Sequence, residues 1–203
     1  MKGLLLKDYY IIRSLLAIMF VVYLVIGASL SYLVNPWVLT VLATVMSGMI
    51  TTSTITVDKT SGWLQTVVTT PVTRKTFIDS KYTMYLLLSL AGLVFGILLG
   101  LLASAILGAD REMFGLFICI SITMTLFSGS VILPFYFLLD ESKSMVGTIL
   151  AYPLSAGIFI VIVLLLGNGA GTYILSSILG ACIFAVSWSV SKKILIKRDT
   201  LFE

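Results

Sequence analysis

The stretch SLLAIMFVVYLVIGASLSYLVNPWVLTVLATVMSGMITTSTITV, residues 14–57, runs for 44 residues without one charged side chain. A helix needs about 20 apolar residues to cross roughly 30 Å of hydrocarbon, so this single stretch holds two crossings. Asn35-Pro36 in its middle supplies the break, because proline lacks an amide hydrogen and biases the residue before it away from helix. Working outward, residues 82–109 and 113–139 are also charge-free and hold one span each, while 144–191 holds two, divided at Gly167-Asn168-Gly169-Ala170-Gly171. The expected spans are 14–34, 37–57, 82–107, 113–138, 145–166 and 172–191. Lipid forces backbone polar groups to pair within the segment, and these runs lack the alternation of barrel strands. The predicted fold is therefore all-α, a single polytopic domain over residues 1–203 with six transmembrane helices, led by an interfacial segment at 1–13.

Composition agrees with that reading. Of 203 residues, 59% are hydrophobic and 11% charged, with a mean hydropathy of +1.13. Ordinary soluble domains carry about 45–50% apolar and about 25% charged residues, so a water-soluble fold of this size is excluded. The formal charge of +4 does not point to nucleic acid, because the cations flank hydrophobic spans and are not interleaved with aromatics. They report topology instead. With six spans and an inside N-terminus, Lys2, Lys7, Arg13, Lys59, Arg74, Lys75, Lys81, Lys143, Lys192, Lys193, Lys197 and Arg198 fall on the cytoplasmic side and Arg111 alone outside. Both termini are expected to be cytoplasmic. No clear small-residue cleavage site precedes the second span, so the first is expected to be retained. Cys119 and Cys182 lie in apolar segments, where thiols behave as small hydrophobes, and no disulfide framework is expected.

The expected spans contain no Asp, Glu, Lys or Arg, and the chain has no histidine. Proton-coupled pumps keep ionisable groups in the membrane, and intramembrane proteases need a nucleophile with its base or a set of metal ligands. Neither chemistry has residues here, so no catalytic residue and no cofactor or metal site is expected. Sodium sites can be built from carbonyls and hydroxyls, which weakens a sodium-coupled carrier without excluding it. A GxxxxGK[ST] phosphate loop is also absent. If this chain moves something uphill, the motor is another chain.

Within the spans, Gly92, Gly96, Gly100, Ser104 and Gly108 place a small residue at every fourth position of the third span. This is a helix-packing seam, for another helix of the same chain or for a second subunit. The second span is rich in hydroxyls, including Thr44, Ser47 and Thr51, which either bond back to their own helix or line a polar pathway. Pro134 and Pro153 are expected to kink the fourth and fifth spans.

The connection between spans two and three, DKTSGWLQTVVTTPVTRKTFIDSK at 58–81, is far longer than a bundle loop needs. Ser61 can cap a short helix ending before Pro71, on which Trp63, Leu64, Val67 and Val68 share one arc and Gln65, Thr66, Thr69 and Thr70 the other. This two-turn amphipathic helix either rests on lipid headgroups or docks in a groove of a cytoplasmic partner.

At these residues the chain resembles a known family. The opening Met-Lys-Gly-Leu-Leu-Leu-Lys-Asp-Tyr-Tyr, then Asp58-Lys59-x-Ser61-Gly62-Trp63, Thr70-Pro71-Val72-x-Arg74-Lys75 and Ser80-Lys81-Tyr82 look like the small permeases of type-2 ABC exporters. In size and in lacking a large external domain the chain is similar to the permeases of phenol-soluble modulin and lantibiotic exporters. The resemblance implies that 61–70 is a coupling helix seated in a separate nucleotide-binding subunit, which binds ATP and Mg. Trp63, Leu64, Val67 and Val68 would contact that ATPase, with Arg74 and Lys75 setting register or serving only as positive-inside anchors. The loop at 140–143 would make a minor contact, and 1–13 would lie on the membrane as an elbow. It further implies two permease copies, or a copy and a paralogue, with two ATPase subunits in a bacterial cell membrane. Spans one, two and five would line the route, with Thr44, Ser47 and Thr51 on it, for an amphipathic or hydrophobic cargo such as a peptide. A non-transporting immunity or sensory subunit and an ATP-independent carrier are the alternative readings.

Overall fold

The computed structural model describes residues 1–63, 73–108, 113–139 and 141–197. Among them 92% are helical and none is in a strand. Six helices follow in order: α1 Lys2–Leu33, α2 Val38–Thr60, α3 Arg74–Leu107, α4 Phe114–Leu138, α5 Glu141–Leu166 and α6 Ala170–Lys197. All six are long and apolar enough to cross a membrane.

The breaks have local causes. Between α1 and α2 the Asn35 side chain accepts the Trp37 amide at 3.0 Å, which closes the turn around Pro36. Gly108 ends α3 and Gly167 follows α5 with positive φ values of 65° and 82°, conformations that cost a residue with a Cβ about 1 kcal/mol or more. Thr73 caps the start of α3 by accepting the Thr76 amide.

Several helices overrun the expected spans at one end. The first begins at Lys2 and not at Ser14, so residues 2–13 are the opening turns of α1 with no break before the span. The α2–α3 connection shortens from 58–81 to 61–73, because α2 carries Asp58 and Lys59 to Thr60 and α3 starts at Arg74. Ser61 is the C-cap of α2: its amide donates to the Val57 carbonyl, and Gly62 then turns the chain with φ 69°, while the short helix expected at 61–70 lies, past Trp63, outside the described residues.

The central helix is α2. It packs most extensively on α3 and also touches α1 and α4, while α4 joins α5 and α6 to the rest. In its most apolar window 61% of α2 is buried within the chain, against 18% of α1 and 17% of α5, so those two outer helices present apolar surface to lipid or to another subunit.

The small-residue seam of α3 faces α2. A Cβ at Gly92 would overlap the Ala43 carbonyl oxygen, one at Gly96 would lie 2.7 Å from Thr40 Cα, and one at Gly100 would lie 3.1 Å from the Trp37 ring. Both prolines sit inside unbroken helices, α4 and α5. Pro134 cannot donate to the carbonyl four residues back, and that Ser130 carbonyl instead accepts the Ser187 hydroxyl of α6 at 2.6 Å. The lost helical bond becomes a bond between helices.

Candidate functional site

Ion pairs bring the start of α1, the end of α2, the start of α3 and the end of α6 together, so these helix ends, including the two that flank the 61–73 connection, share one end of the bundle, here called the basal end. Its interior is aromatic, with Phe77, Tyr82, Tyr85, Phe137 and Phe184 in one buried cluster together with Ile55, Ile78 and Leu133. Ile12 of α1, Ile50 of α2 and Met84 and Leu88 of α3 form a second cluster beside it.

Between these clusters sit four charges from three helices. Lys81 of α3 places its ammonium 2.8 Å from Asp8 of α1 and 2.6 Å from Asp58 of α2, and donates to the Thr54 hydroxyl at 3.0 Å. Lys7 pairs with the same Asp58 and lies 3.5 Å from Asp8. The side chains of Asp8, Asp58 and Lys81 are 2% exposed or less, whereas Lys7 is 24% exposed. Two acids and two bases balance, which is the condition for burying charge at all: the attraction must repay several kcal/mol of desolvation per ion. Burial this complete fixes the three helices to one another at the root of the 61–73 connection. The expected site does not include Lys7, Asp8, Asp58 or Lys81, since each by itself reads as an ordinary charge at a span edge.

Trp63 joins this unit. Its half-buried ring lies 5.8 Å from the Phe77 ring, centroid to centroid, and the Lys7 ammonium stands 3.5 Å over it. A cation over a partly desolvated indole contributes about 1 kcal/mol. Of the other residues expected to meet an ATPase, Leu64, Val67 and Val68 lie outside the described residues. Arg74 and Lys75 open α3, Arg74 partly buried and Lys75 exposed.

A second tie holds α3 to α6. Asp79 accepts the Trp188 indole N–H at 2.7 Å and pairs with Lys192 at 2.6 Å. Trp188 stacks on Tyr82, whose hydroxyl lies 2.8 Å from that of Ser191. With 27% and 34% of the two charged side chains exposed, water screens this pair. Asp79→Asn is therefore expected to cost under about 1 kcal/mol, a shift of only a few degrees in the melting temperature of the detergent-solubilised protein.

The hydroxyls expected along a pathway separate into two groups. Thr44 is buried and donates back to the Thr40 carbonyl at 2.5 Å, and Thr51 is fully buried. Ser47 meets the Tyr23 hydroxyl at 3.3 Å and lines a cavity of about 630 Å³ between α1 and α3. Lys59 donates to the Leu139 carbonyl at the end of α4, at 2.8 Å, satisfying one of that helix's terminal acceptors. Among the described residues no group of three or more His, Cys, Asp and Glu is placed to hold a metal ion.

A family model described as "ABC-2 family transporter protein" matches residues 3–195. No curated protein and no solved structure gives a significant match.

Proposed function

The chain belongs to the ABC-2 transporter family and is a permease subunit of an ABC transporter; from that premise we propose that it serves an exporter, moving an amphipathic or hydrophobic cargo, a peptide above all, out of the cell. The basal end is cytoplasmic on this reading, supported by the twelve lysines and arginines that fall there when six spans alternate. The 61–73 connection is the docking segment for the ABC ATPase, in which ATP and Mg are bound. Trp63, Leu64, Val67 and Val68 supply its apolar contacts, and Arg74 and Lys75 its charges. Two permease chains and two ATPase subunits complete the assembly in the cell membrane.

The observation that carries this reading is the buried quartet at the root of the docking segment. A displacement of the segment by the closing ATPase reaches α2 at Asp58 and α3 at Lys81, and the same carboxylates and ammoniums carry it to α1 at Asp8. The spans then move as joined rods. Trp63, wedged against Phe77 and Lys7, makes the segment part of that unit. Ser47, buried at the floor of the cavity beside α1, is the pathway candidate nearest an opening, and Thr44 and Thr51 reach a pathway only if α2 separates from its neighbours.

Trp63→Ala tests this in the permease purified with its ABC ATPase. ATPase stimulation by the permease is expected to fall at least tenfold and Trp63→Phe to retain most of it, because an anchor of this kind contributes about 1.4 kcal/mol or more. Unchanged stimulation and unchanged co-purification in Trp63→Ala would overturn the docking role.

A further inference from the structure

We propose that the cavity between α1 and α3 is a binding seat for one anionic glycerophospholipid, its acyl chain lying against the helices and its phosphate at Lys2. The seat rests on the reading of the basal end as cytoplasmic and goes beyond the transport function.

The cavity runs along the basal two-thirds of α1 from Lys2 to Tyr23, about 30 Å of helix at 1.5 Å per residue. Its opposite wall is α3 from Met84 to Phe95, and Ser47 of α2 lies at its floor. The depth that both walls share, set by Met84 to Phe95 at about 17 Å, matches the roughly 15 Å of one leaflet's hydrocarbon, and the turns of α1 back to Lys2 carry the cavity to the headgroup zone. Its lining selects the occupant. Apart from Lys2 the walls are apolar or hydroxyl-bearing, with Leu16, Met19 and Phe20 of α1 facing Leu87, Leu88 and Phe95 of α3, a surface that suits an acyl chain. Small side chains deepen it, with exposed Ala91 on the rim and Gly92 behind, against Ser47.

Charge selects the headgroup. Among the residues that line the cavity Lys2 is the one bearing charge, and it stands at the basal mouth beside Tyr9. The quartet next to it is internally neutral, so it neither masks nor adds to that positive charge. At the deep end the hydroxyls of Tyr23 and Ser47 face each other at 3.3 Å and demand nothing of the chain passing them.

The test uses the full-length permease in nanodiscs that carry trace phosphatidylglycerol or phosphatidylcholine with a photoactivatable diazirine in the acyl chain, followed by peptide mapping. Labelling is expected on α1 and α3, with phosphatidylglycerol favoured about fivefold, the preference one lysine confers. Lys2→Glu is expected to abolish the preference. Ala91→Trp, at an exposed position that keeps helix packing intact, is expected to remove most α1 and α3 labelling while the melting temperature stays within a few degrees. Label spread evenly over α1, α3 and the exposed α5 face around Leu164 and Leu165, and unmoved by Ala91→Trp, would overturn the seat. So would photo-cross-links joining two copies of the chain through this slot. No ATPase is needed for the readout, so a lost ATPase complex with labelling intact counts against the exporter reading alone.

Discussion

Lys81→Met is expected to destabilise the protein by about 3–5 kcal/mol, because it strands two buried carboxylates with only the partly exposed Lys7 to answer them. For a chain of this size that is a fall of roughly 10 °C in melting temperature, measured in detergent by intrinsic fluorescence. The mechanism is checked by a second variant. Asp8→Asn combined with Lys81→Met leaves Lys7 and Asp58 as a balanced pair and is expected to recover more than half of the loss, although it removes more native charge than the single change. Equal or greater loss in the double variant would mean that Lys81 matters for its ammonium's contacts with the Phe77 ring and the Thr54 hydroxyl and not for its pairing with the carboxylates. A stable double variant also separates stability from transmission: if the quartet links the docking segment to α1, this variant folds but couples ATP hydrolysis to transport poorly.

How far the sequence reveals this molecule varies with the range of the interaction. The six crossings are legible because hydropathy acts locally, and Asn35-Pro36 and Gly167 mark their turns because backbone restrictions act within two or three residues. The helix ends are less legible. Asp58 and Lys81 read as loop residues since a charge beside a span normally meets water, yet each finds an opposite charge on another helix and stays within its own. That pairing joins residues 8, 58 and 81, and no periodicity in one segment encodes it. Ser61 shows the same limit at short range. Its hydroxyl suits the start of a helix, but Gly62 adopts the positive φ that closes α2, so Ser61 belongs to the helix before it. Pro134 is visible in the sequence as a broken helical bond, whereas the hydroxyl that takes over the freed carbonyl comes from Ser187, which only the fold brings near.

Gly96→Leu separates the two meanings of the small-residue seam. At this position a Cβ stands 2.7 Å from Thr40 Cα and 3.2 Å from the Leu39 carbonyl oxygen, so the obstacle is backbone and no rotamer change relieves it. The Thr40 hydroxyl also donates to the Gly96 carbonyl at 3.3 Å, a bond that close approach alone permits. Pushing α2 away from α3 opens the most extensive helix contact in the chain, and the expected loss is about 3 kcal/mol or more, at the upper end of overpacking. Gly157→Ala is the control: α5 leaves open space around that position, and the substitution is expected to be neutral or slightly stabilising. The oligomeric state decides between the readings. An intrachain seam predicts that Gly96→Leu lowers the melting temperature of the isolated permease chain, with or without a second copy present. A subunit interface predicts the reverse, an isolated chain that melts unchanged and an assembly that falls apart on dilution. Because the Gly92 and Gly96 contacts are made by Ala43 and Thr40 of the same chain, the first outcome is the expected one, and it leaves the exposed faces of α1 and α5 as the surfaces on which a second permease copy has room to pack.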